Sequence, residues 1–180
     1  MYYDRISKEA FLTLSENADN CIFNLFPTSK GSFGIAGTFM GIEFILRKAY
    51  DNFFRQEINE FNYPSTHLGK IIDYDSIEFK NLTAFEQSDL FNSTPRIEYI
   101  SDMNVKRISS FLNQIQENEI KKAYNSKQLN ENGIYPRVWH DDESENLAYN
   151  LRCILDDIKL LTSFFQNASN ENDYVLWSIS

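Results

Sequence analysis

The chain has 180 residues, of which 42% are hydrophobic and 15% aromatic, with only 4 Pro and 6 Gly. This excludes a disordered chain and supplies one packed core, with little room for two. A net charge of −9 and a pI near 4.7 set the surface against phosphate backbones and anionic lipid, so the expected partner is neither nucleic acid nor membrane but a basic protein.

Residues 1–6 are short, aromatic and β-prone, and Ser7 is a good N-cap for KEAFLTLSEN, which predicts a strand leading into a helix. The same N-terminus lacks the basic start and apolar run of a signal peptide. No apolar run approaches the roughly 18 residues of a membrane span, so the expected location is cytoplasmic, with reduced thiols. The segment KGSFGIAGTFMG holds Gly31, Gly34, Gly37 and Gly41 and reads as a flexible loop entering the helix FMGIEFILRKAYDNFF. There Phe39, Ile42, Ile45, Leu46 and Ala49 recur at helical spacing.

Between about residues 57 and 94 the pattern weakens. HLGKIIDY reads as a strand and LTAFEQ as part of a short helix. PRIEYI alternates as a strand, and Ser101 caps a helix whose Val105, Ile108, Leu112 and Ile115 share one stripe. A second, more basic helical piece, NEIKKAYNSKQL, follows. In the last and clearest helix Leu147, Leu151, Ile154, Leu155, Ile158, Leu161 and Phe165 form the apolar stripe, with Arg152, Asp156, Lys159 and Ser163 opposite. DYVLWSIS is an almost uninterrupted apolar strand, expected at the centre of a sheet. The predicted fold is α+β in a single domain over residues 1–180. It is a small, mostly antiparallel sheet including both terminal strands, packed by several helices, one of them long, amphipathic and C-terminal.

Catalytic and metal chemistry find little support. The glycine spacing of 3, 3 and 4 is neither dinucleotide-binding nor a P-loop; it suits a structural loop and close helix packing. Cys21 precedes IFNLF and reads as a small core residue, while Cys153 has acids rather than a base nearby, which disfavours a thiolate. His67 and His140 are the only histidines, with no HxxxH or CxxC, and the acids lack the calcium-loop pattern. No cofactor or metal is expected.

The stretch GIYPRVWHDDESENL concentrates what remains. From His140 onward eight acids face two bases, a net −6. Asp142 stands three residues before Glu145, and the apolar stripe begins at Leu147, the aspartate form of a capping box. Asp141, Asp142, Glu143 and Glu145 suit the positive end of a helix dipole, and Trp139 suits an anchor packed on the core. Helix initiation accounts for each of these except His140.

NENGIYPRVW with its acidic cap, the long helix ending FFQNAS and the terminal DYVLWSI resemble the C-terminal half of the YfbM-like family of small bacterial α+β proteins. Ile134, Tyr135, Pro136 and Trp139 match its Ile-Tyr-Pro-x-x-Trp signature. More faintly, YYDRISKEAF is similar to its opening strand and helix, MGIEFIL to its Gly-Leu-His-Phe-Leu-Leu helix, and EYISDMNVKRI to its Tyr-Leu-Ser-Pro-Glu-x-Val passage. Glu43 stands where the family often has His, Phe39 or Met40 where it has Trp, and Glu98 where it has Arg, with Arg96 two residues away.

Some members occur beside toxin genes, so the resemblance implies an immunity protein that binds and blocks a cognate, basic toxin domain. Trp139, His140, Asp141, Asp142, Glu143 and Glu145, with the irregular 57–94 region, are the expected contact surface. The alternative is a small enzyme or ligand-binding protein with a pocket around Glu43, Arg96, Tyr135 and His140.

Overall fold

The structure, a computed structural model, describes residues 1–16, 29–51, 54, 67–69, 76–93 and 96–178. Cys21, the segment KIIDY and most of the irregular stretch expected between residues 57 and 94 lie outside them. Five strands, β1 (Tyr2–Ile6), β2 (Gly31–Gly34), β3 (His67–Gly69), β4 (Arg96–Ile100) and β5 (Tyr174–Ser178), form one sheet in the order β2-β1-β5-β4-β3. Every pairing is antiparallel. The C-terminal strand therefore lies in the centre, as its apolar run predicts, with the N-terminal strand beside it. The glycine-rich segment is not wholly a loop: Gly31–Gly34 pairs with β1 as an edge strand, Tyr3 opposite Phe33.

Among the described residues the helices are α1 (Lys8–Glu16), α2 (Phe39–Ala49), α3 (Ile77–Lys80), α4 (Ala84–Ser93), α5 (Asp102–Leu112), α6 (Glu117–Ala123), α7 (Ser126–Glu131) and α8 (Leu151–Asn170). No helix among these residues is long and apolar enough to cross a membrane. Ser7 and Ser101 cap as expected, their hydroxyls accepting from the Ala10 and Asn104 amides at 3.1 and 3.3 Å. The basic piece read as one helix is two, broken where Tyr124 and Asn125 turn extended. Asn125 then caps α7 by accepting from Gln128 N at 2.7 Å.

The alternation along the strands divides the core in two. On one face Tyr3, Ile100 and Val175 meet Ile42, Ile45 and Leu46 of α2, Val105, Ile108 and Leu112 of α5, and Ile154, Leu161 and Phe165 of α8. On the other, Ile6 and Leu176 meet Phe11 and Leu14 of α1, with Phe11 stacked on Tyr174 at 3.8 Å between centroids. Burying each such side chain contributes about 1.5–3 kcal/mol. This accounts for why α8, whose buried stripe runs from Ile154 to Ala168, anchors the larger layer.

The turn from α8 into β5 carries an ion cluster that the sequence reading did not foresee. Asp173 is buried, and its carboxylate receives Lys30 Nζ at 2.8 Å and lies 3.4 Å from Arg5 Nε. Arg5 also reaches Glu171 at 3.3 Å, and Lys30 pairs with Glu171 as well. Asn172, at φ 55°, supplies the left-handed residue that ends α8, and Asp173 N closes back on Ala168 O at 2.9 Å. The hint in the sequence was charge set in or beside two strand segments, Asp4 and Arg5 in YYDRI and Asp173 just before YVLWS.

Candidate functional site

The segment from Gly133 to Asn150 packs across the N-terminal ends of α2 and α8. Its anchor is Trp139, 3% exposed. The indole Nε1 donates to Ile134 O at 2.9 Å, the Trp139 amide donates to Asn130 Oδ1 at 2.9 Å, and Asn130 Nδ2 donates to Trp139 O at 2.8 Å. The ring lies so close to α2 that a Cβ on Gly41 would stand 2.3 Å from it. Gly41 is thus a contact glycine, the close helix packing that the glycine-rich segment implied. Tyr149 meets the Trp139 ring edge-on at 6.0 Å and covers Gly37, whose φ of 84° suits glycine.

From this anchor the chain emerges as an acidic loop. Asp141, Asp142, Glu143 and Glu145 are all exposed, and none of the four is ion-paired among the described residues. Asp142 accepts from the Ser144 amide at 2.9 Å and from its hydroxyl, and these bonds hold its carboxyl below the usual range. The loop is pinned from behind. Arg152 donates to the carbonyls of Glu143, Glu145 and Leu147 at 3.3, 3.2 and 3.0 Å. The fully buried Asn150 donates to those of Asp142 and Leu147 at 2.8 and 3.1 Å. The carbonyls thus turn inward to Arg152 and Asn150 while the carboxylates face water.

The capping box expected from Asp142 and Glu145 does not form. The helix begins at Leu151, capped by Asn150, whose Oδ1 accepts from Cys153 N at 3.0 Å. Asp142 makes a local Asx turn instead, and Tyr149, at φ 61°, interrupts any helix that began upstream. Leu147, expected to open the apolar stripe, is 40% exposed. Asn is as good an N-cap as Asp, so Asn150 followed by Leu151 was the signal available in the sequence.

His140 is half-buried. Its amide donates to Tyr149 O at 3.2 Å, and its carbonyl accepts from Tyr124 OH at 2.7 Å. Nδ1 is enclosed without a hydrogen-bond partner. Burial, then Asp141 and Glu143, push the Tyr124 phenol well above its ordinary value, so it remains a donor. Trp139, counted among the expected contact residues, is too deeply buried to present itself; it positions the loop.

The residues expected around a pocket occupy different settings. Glu43 is ion-paired along α2 with Arg47 at 2.6 Å. Tyr135 is exposed with its ring 6.5 Å from that of Phe39, and Arg96 opens β4 opposite Gly69. Among the described residues, Glu43, Tyr135 and His140 make no hydrogen bond or ion pair with one another. No group of three or more His, Cys, Asp and Glu there is arranged to hold a metal ion. Cys153 is a free thiol on the flank of α8.

Residues 92–178 match the model of a domain of unknown function, DUF1877. Among solved structures the chain is similar to the crystal structure of YfbM from Escherichia coli, a protein described as of unknown function. The two share 19% identity over 97% of this chain and 96% of that one, with a TM-score of 0.58. At that identity the likeness is one of fold. A comparison with curated proteins finds no match.

Proposed function

Since the chain is YfbM-like, carrying the DUF1877 domain over residues 92–178 and the YfbM fold over nearly its whole length, we propose that it works by binding rather than catalysis, as an immunity protein that captures a basic toxin domain. The observation that carries this reading is the loop from Asp141 to Glu145, exposed carboxylates on a backbone pinned by Asn150 and Arg152. Such a loop loses little conformational freedom on binding, and its charges attract an oppositely charged partner and speed its encounter. The net charge of −9 acts in the same direction at longer range. Inhibition then needs only occlusion of the toxin's site, with no reacting group supplied by this chain.

The test is co-purification of the chain with any basic toxin domain that the adjoining gene encodes. A complex at low salt that weakens as salt rises, and protection of cells from that domain, are the expected results. A strain that survives the neighbouring toxin equally well without this gene contradicts the proposal.

A further inference from the structure

Exposed carboxylates alone do not hold a protein partner. At physiological ionic strength their attraction is screened beyond roughly 8 Å, and it governs the rate of encounter more than the lifetime of a complex. Lifetime comes from a few apolar and aromatic side chains that the partner covers. The segment that displays the acidic loop carries such a group at its other end.

Tyr135 and Val138 are 53% and 57% exposed, and Met40, in the first turn of α2, is 40% exposed. The Tyr135 ring lies 6.5 Å from that of the half-buried Phe39, and Trp139 packs on Gly41. Residues 135–139 therefore run along the first turn of α2, and Met40 and Val138 border the Phe39–Tyr135 contact. The backbone beneath is fixed, with Ile134 N donating to Leu129 O at 3.0 Å and Arg137 N to Ile134 O at 2.9 Å. The Arg137 side chain folds back, its Nε donating to Gly133 O at 3.1 Å. From Gly133 to Asn150 four acids stand against that single base, a net −3.

Resting on the toxin-binding reading of the acidic loop, we propose that Phe39, Met40, Tyr135 and Val138 are the apolar centre of that same interface. One basic protein domain covers both, seating apolar side chains on Tyr135 and Val138 while its cations meet Asp141–Glu145 at the rim. A second copy of this chain is a poor occupant, because it brings a further net −9 and its own acidic loop against the same sign.

The test is the association and dissociation rates of a basic toxin domain encoded by the adjoining gene, measured on the full chain at roughly 0.15 M salt. The double variant Tyr135→Ser, Val138→Ser changes only exposed positions, and circular dichroism checks its fold. It should raise Kd roughly tenfold, mostly through faster dissociation, with the salt dependence of association unchanged. Met103→Ser, 64% exposed on α5 outside the patch, should match the parent. A double variant within about twofold of the parent, or one that loses only association rate, overturns the assignment of the patch. In that event, loss of binding by lysines at Asp141, Glu143 and Glu145 still upholds the acidic-loop reading. A parent dimer in sedimentation that the double variant dissolves makes the patch a self-contact and overturns its assignment too. Absence of binding by the parent chain, or of any such domain in the adjoining gene, overturns both readings together.

Discussion

Gly41 illustrates how a single position reverses an ordinary rule. In an exposed helix interior, Gly→Ala gains up to about 1 kcal/mol. Here the new methyl would sit 2.3 Å from the Trp139 ring, so Gly41→Ala should instead cost about 1–3 kcal/mol in denaturant unfolding. A second pair of variants tests where α8 begins. Asn150→Ala removes the cap and both bonds to the acidic loop's carbonyls, and should lower stability by about 1–3 kcal/mol. Asp142→Ala removes only an exposed local turn, and the midpoint of its denaturant unfolding should stay close to that of the parent. If the capping box read from the sequence were the true helix start, Asp142→Ala would be the damaging change of the two.

At the scale of elements, the ion cluster joining β1, the approach to β2 and the α8–β5 turn is the least forgiving polar contact in the fold. Asp173→Asn removes the buried carboxylate that Arg5 and Lys30 share and leaves Glu171 as the acidic partner of both, a loss of about 1–3 kcal/mol measurable by thermal or chemical unfolding. Lys30, followed by Arg5, holds the Glu171 carboxyl below its usual range. Its contribution is therefore complete above the unfolded Glu value of roughly 4.3 and is lost as pH falls through the depressed one. Asp157 has the opposite sign. Burial raises its pKa, offset in part by the Thr38 hydroxyl, so its contribution is present below the unfolded Asp value and is lost as pH rises through the folded one. Asp157→Asn should flatten the pH profile of stability in that acid window.

Most of these elements were legible in the sequence because each carries its own period. The apolar stripe of α8, the serine caps of α1 and α5, and the uninterrupted β5 are local signals. The start of α8 was misplaced because Asp142 and Asn150 are equally good caps in isolation. The choice between them rests on long-range facts, Tyr149 against Gly37 and Trp139, and Arg152 drawn onto the loop carbonyls. The Arg5–Asp173 pair was invisible for the same reason, since its partners are far apart in the chain and meet only when β1 pairs with β5.

For the molecule as a whole, α1 covers one face of the sheet and the larger helical layer the other, while Trp139 fixes the segment that displays the carboxylates. Tyr135, Trp139 and the acids were recognisable as one unit in the sequence. What the sequence could not convey is the division of labour: Trp139 inside, the acids outside, Asn130, Asn150 and Arg152 holding the two together. We propose that this outer surface binds a basic protein domain. The most direct measurement is the Kd of a cognate basic toxin domain, taken from the adjoining gene where it encodes one, for the parent chain and for the triple variant Asp141→Lys, Glu143→Lys, Glu145→Lys, across a salt series and with circular dichroism as the check on folding. Binding through these carboxylates requires an unchanged fold in the triple variant, affinity lower by roughly tenfold or more at low salt, and a shallower salt dependence. An unchanged affinity and salt dependence in the triple variant would contradict it.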